Sequence, residues 1–84
     1  MHGVASKRFV RPVIIRIGRT GPERVVTDAG DAAQLLLRDW HHERAKRQAA
    51  MDACLRVLRG EARTPVARQA FVAAAIEAKV LRGD

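Results

Sequence analysis

The chain has 84 residues, 48% of them apolar, and its 16 basic and 9 acidic side chains leave a net charge of +7. That length admits one small domain with a modest core, and that apolar content excludes a disordered chain. The single cysteine, Cys54, excludes an intramolecular disulfide and a thiolate metal centre, and no apolar run approaches the roughly 18 residues that cross a bilayer.

Residues 1–8 read as a flexible tail and residues 9–84 as a single α+β domain. The opening MHGVASKRF is too short and polar for a secretory leader, so a cytoplasmic protein is expected, in keeping with a lone thiol. Residues 12–17, PVIIRI, alternate: Val13, Ile15 and Ile17 share one face, Ile14 and Arg16 the other. This is the pattern of a half-buried strand that opens on a proline. GRTGP at 18–22 is turn chemistry, and the β-branched ERVVT at 23–27 returns as a second strand, giving a β-hairpin. A lone hairpin is marginal in water, so its apolar face must rest on helices.

Asp28 has the profile of an N-cap, with Asp31 in the first turn where the helix dipole favours negative charge. The helix runs to about residue 39, with Ala29, Ala32, Ala33, Leu36 and Trp40 inward and Leu35 and Leu37 widening that stripe. His41 and His42 fall in a polar connection, with too few ligands nearby for structural zinc. A second helix covers about residues 43–59, with Ala50, Cys54, Val57 and Leu58 inward, Asp52, Arg56 and Arg59 outward, and Gly60 to end it. The third, residues 64–78, has Thr64 as its cap and Pro65 in its first turn. It is apolar on two sides: Ala67, Ala70, Phe71, Ala74 and Ala78 form one stripe, Val72, Ile76 and Val80 the other. Such a helix is either central to the fold or covered by a partner. The residues after Val80 are too few to assign, although Val80 and Leu81 could dock on the hairpin. The expected architecture is α+β, a two-stranded antiparallel β-hairpin packed on three α-helices in the order ββααα, with Trp40 and Phe71 as buried aromatic anchors.

Pro12-Val13, then Asp28-Ala29, Leu36 and Trp40, then Ala50, Cys54, Leu58 and Gly60, and finally Ala67-Arg68, Ala70-Phe71, Ala74 and Glu77-Ala78 make up a familiar set. Together they resemble domain of unknown function family 982, small uncharacterised proteins of rhizobia and related soil bacteria. The resemblance spans about residues 9–80, and its specificity lies in the tryptophan, the cysteine and the Ala-Arg…Ala-Phe combination. The chain departs from the family at His41, where proline is usual, and at Lys79, where glycine is usual, so the end of the last helix is expected to differ. The resemblance implies a hairpin with three helices and implies no activity.

No segment carries a recognisable reaction chemistry. Cys54 lies on an inward stripe, where a thiol behaves as a small inert hydrophobe. Asp28 and Asp31 are explained by the helix start, and Asp39, Glu43 and Asp52 as surface charges. We therefore expect no enzyme, cofactor, metal or small-molecule substrate, and no membrane association. Charge is uneven: residues 1–27 carry a net +5 and residues 28–42 a net −2. Arg11, Arg16, Arg19 and Arg24, with Arg8, could line the outer face of the hairpin, and Arg44, Arg47 and Arg56 the second helix. Arginine forks suit phosphate, but no aromatic is placed to stack bases and the third helix is too apolar for a groove. The leading expectation is a non-catalytic protein-interaction or adaptor module, a homodimer through Val72 and Ile76. The alternative is a nucleic-acid-associated protein binding the phosphate backbone, which requires those arginines to share one face. Arg68, on a largely apolar helix, is expected to be partly covered and to need a partner, with Asp52 and Glu61 as the carboxylates to consider.

Overall fold

The computed structural model describes residues 7–40 and 45–84. Its elements run β1 (Arg8–Arg16), β2 (Glu23–Asp28), α1 (Ala29–Arg38), α2 (Ala45–Leu58), α3 (Thr64–Glu77) and β3 (Leu81–Gly83). The class is α+β, but the sheet has three antiparallel strands in the order β2-β1-β3, where the sequence led us to expect a hairpin alone. Ile14 and Ile15 pair with Gly83 and Leu81, and the Arg16 N–H donates to the Val80 carbonyl at 2.9 Å. Three residues are too few to display alternation, so pattern alone leaves β3 unassigned. β1 starts at Arg8, inside the predicted 1–8 tail; residues 1–6 of that tail lie outside the described residues.

β1 is irregular in its first half. Arg8 pairs with Asp28 and Val13 with Val26, so residues 9–12 stand opposite Thr27 alone. Pro12 has no N–H to give a ladder, and a bulge is where a strand interior tolerates it. From Val13 onward the ladder is regular, and Val13, Ile15 and Val26 are buried beneath the helices. The turn between β1 and β2 needs glycine at Gly21, where a Cβ would lie 2.5 Å from the Ile17 carbonyl oxygen.

The helix starts and stops follow from local chemistry. Asp28 Oδ1 accepts from the Asp31 N–H at 2.7 Å, the expected cap of α1, and Thr27 Oγ1 donates to Asp31 Oδ2. α3 differs from expectation: Arg63 is its N-cap and makes no side-chain cap bond, while Thr64 is already helical. Both later helices end in the same double closure. After α2, Gly60 N–H donates to Val57 O and Glu61 N–H to Arg56 O, with Gly60 at φ 79. After α3, Lys79 N–H donates to Ile76 O and Val80 N–H to Ala75 O, with Lys79 at φ 62. Each is a Schellman closure, which satisfies carbonyls that the helix end would otherwise orphan.

α3 packs on α2, β1, α1 and β3, and is thus the central element. Ala67, Phe71, Ala74 and Ala75 are buried, and the small alanines let neighbouring backbones approach closely. Phe71 and Trp40 are both buried, with ring centroids 5.7 Å apart and planes tilted by 51°. Phe9, Leu36, Cys54 and Val57 complete this core. Two apolar positions turn out where the sequence pattern had them inward. Leu37 is 68% exposed, because the buried stripe of α1 runs through Ala29, Ala32, Leu35 and Leu36, and Leu58 is exposed in the last turn of α2. Among the described residues no helix is long and apolar enough to cross a membrane.

Candidate interaction site

Seven of the eight arginines singled out for the charged surfaces are placed, Arg8 opening β1; Arg44, like His41 and His42, lies outside the described residues. Arg11 sits in the bulge of β1, and Arg19 in the turn beyond the strand's other end. Arg16 is on the sheet face away from the helices, since Val13 and Ile15 alternate with it and are buried. Arg24, opposite Ile15, is on the helix side, where its Nη2 meets Asp39 Oδ2 at 3.1 Å. Arg47 and Arg56 are nine residues apart on α2, half a turn out of phase and therefore on opposite sides. The fold thus gathers these side chains onto no single face.

Two conspicuous arginines are engaged by the fold itself. Arg47 Nη2 donates to the Leu36 carbonyl at 2.9 Å, capping the C-terminal turn of α1, where a cation also complements the helix dipole. Arg68 is half-covered, but its partners are main-chain oxygens: Nε donates to Arg11 O at 2.9 Å and Nη2 to Asp84 O at 2.6 Å. The expected carboxylates lie elsewhere: Glu61 pairs with Arg59 at 3.3 Å, and Asp52 is exposed on α2. A bulge frees main-chain acceptors, and a guanidinium fork from the adjacent helix satisfies one of them.

Val72 is half-buried against the core of its own chain, while Ile76 is 60% exposed on α3. Cys54 is fully buried, and burial pushes its thiol from 9.0 up to about 12, the reverse of nucleophile activation.

The feature that sequence reasoning missed is the side of β2 that no strand among the described residues covers. Arg16 N–H points to β3, so alternation turns Ile15 and Val13 towards β2, and Arg24 and Val26 opposite them point back. Glu23, Val25 and Thr27 therefore direct their main-chain groups away from the sheet. Beside that edge runs a groove of about 300 Å³, walled by Arg24, Val25 and Val26 of β2 and by Asp31, Gln34, Leu35 and Arg38 of α1. Its two carboxylates are engaged within the chain, Asp31 by Thr27 and Asp39 by Arg24. A smaller apolar cleft of about 190 Å³, between Phe9, Val10 and Pro65, separates the bulge from the first turn of α3. The signal for the groove was a β-branched strand followed at once by a helix, but which edge stays open depends on where β3 docks.

A family model described as a protein of unknown function (DUF982) matches residues 11–82. The chain belongs to the DUF982 family. No curated protein and no solved structure matches it. The structure also clarifies one departure of this DUF982 member from the family resemblance. Lys79, which the resemblance led us to expect would alter the end of the last helix, takes the left-handed conformation that glycine favours, so the helix ends by a glycine-type closure without a glycine.

Proposed function

We propose that this DUF982 protein is a non-catalytic interaction module of the cytoplasm that receives an extended protein strand along β2. The observation that carries the reading is the pairing of a strand edge, unfilled among the described residues, with a groove flanked by α1. Main-chain groups on such an edge supply affinity, and side-chain positions in the groove supply selectivity. The intrachain engagement of Asp31 and Asp39 favours recognition over catalysis at this place, and Cys54, buried in the core away from the groove, is held as the unreactive thiol. A reduced, buried thiol also suits the cytoplasm. Nucleic-acid association is the second reading from charge, and the spread of Arg11, Arg16, Arg24, Arg47 and Arg56 over several faces gives it less support.

A photo-cross-linking residue at Val25 tests the reading in cells. Protein adducts at Val25, with none when the cross-linker replaces exposed Arg56, are expected. No adduct at Val25, or anisotropy showing binding of random DNA or RNA that persists at physiological salt, overturns it.

A further inference from the structure

We infer that the occupant of the β2 edge is the β2 of a second copy, joined across a twofold axis at Val26 so that two three-stranded sheets become one of six strands. This deepens the interaction-module reading and rests on it. The two edges of the sheet differ. β3 has three residues and offers little to pair with, whereas β2 has six, with no proline, glycine or bulge from Glu23 to Val26 opposite the regular half of β1. Of the devices that blunt a sheet edge β2 carries the helix-side charge of Arg24, and its regular Glu23–Val26 backbone is otherwise a template for another strand.

Parity narrows the register. Only Glu23, Val25 and Thr27 present outward main-chain groups, so a symmetric antiparallel pairing must centre on a residue and not between two. Centring on Arg24 sets Arg24 against its own symmetry mate, a like-charge contact. Centring on Val25 sets Arg24 against Val26 and pairs no charges. Centring on Val26 sets Arg24 against Asp28 of the second copy twice over, and pairs Val25 with Thr27 through main-chain bonds. Asp28 spends Oδ1 on the cap of α1, which leaves Oδ2 to accept from the Arg24 nitrogens that Asp39 does not engage. Val25, 58% exposed, gains a neighbour on the outer face.

Net charge allows the same place. The chain carries +7, so two copies repel over most of their surface. Residues 28–42, which supply α1 and the far wall of the groove, are the one stretch with a net negative charge. Across the twofold axis this side meets its own copy, and because Arg24 and Arg38 balance Asp31 and Asp39 along the groove, the contact adds little to the repulsion between two basic chains.

Sedimentation of the full chain across the micromolar range, beside its Val25→Pro and Ile76→Asp variants, tests this. The Val25 N–H points outward, so proline there removes no bond within the chain and should leave native circular dichroism. The expected result is twice the 9.3 kDa monomer for the parent and for Ile76→Asp, and monomer for Val25→Pro. Amide exchange gives a second reading should Val25→Pro misfold: Val25 and Thr27 should exchange slowly in the parent and speed up on dilution. A parent that stays monomeric, or a dimer undone by Ile76→Asp and kept by Val25→Pro, overturns the inference. So do fast, concentration-independent Val25 and Thr27 amides. If the parent is monomeric while Val25 still cross-links to a different protein, the module reading survives and only the identity of the occupant falls.

Discussion

Arg68 Nε donates to the main-chain oxygen of Arg11 at 2.9 Å, fastening α3 to the stretch of β1 that leaves the ladder. The same guanidinium holds Asp84 O, so one side chain ties the bulge to the residue after β3. Arg68→Met keeps the aliphatic stem and removes both donors. It should lower the unfolding free energy by about 1–2 kcal/mol in urea titrations, a range that allows for the partial exposure of these bonds. Arg68→Lys should recover less than half of the loss, because an ammonium cannot reproduce the fork. An Arg68→Met midpoint equal to the parent's would show that the tie contributes nothing.

Lys79 holds φ 62, a conformation that costs a side-chain-bearing residue about 1–2 kcal/mol relative to glycine. Lys79→Gly should therefore stabilise the fold by about 1 kcal/mol once the greater freedom of glycine in the unfolded chain is set against it. Lys79→Val should act in the opposite direction, since β-branching is poorly tolerated there. Thermal unfolding of the two variants checks the pair, and a destabilised Lys79→Gly would refute the assignment of strain.

Phe71 is fully buried against Trp40. Truncating a buried Phe to Ala costs about 3–5 kcal/mol, comparable to the whole stability of a domain this small. Phe71→Ala should be largely unfolded, with red-shifted Trp40 emission, while Phe71→Leu should retain blue-shifted emission and a lower midpoint. Since Trp40 is the only tryptophan, its emission reports this contact without interference. Native emission from Phe71→Ala would count against the packing described.

Burial lifts the Cys54 thiol from 9.0 to about 12, and the direction fixes the pH dependence. Above pH 9 the unfolded chain loses this proton while the folded chain keeps it, so the contribution to stability is complete below 9 and declines as pH rises towards 12. The decline should be steeper in the parent than in Cys54→Ala, measured by urea unfolding at stepped pH. Iodoacetamide should leave the native thiol unlabelled at pH 8 and react once the chain is unfolded.

Much of this fold is legible in the sequence because its signals are local. Asp28 caps α1, Gly60 closes α2, and the alternation from Val13 to Arg16 assigns the buried face of β1. What escaped is relational. The third strand is too short for periodicity, and Lys79 conceals a glycine-type helix end behind an unremarkable side chain. Arg47 and Arg68 read as surface charges or as ions in search of carboxylates, because their carbonyl partners on Leu36 and Arg11 belong to other elements. The groove beside β2 became visible only once β3 had taken the other edge of β1.

The pairing of Ile14 with Gly83 also sets a timetable for synthesis. On the ribosome, β1 and β2 emerge first and can form their hairpin, and the helices follow. The central strand must nevertheless wait with one flank bare until residues 81–83 are released. During that interval the flank of Ile14 is as open to a neighbouring nascent chain as to its own final strand. Any delay in synthesis between Thr27 and Leu81 should therefore prolong that exposure and favour misassembly.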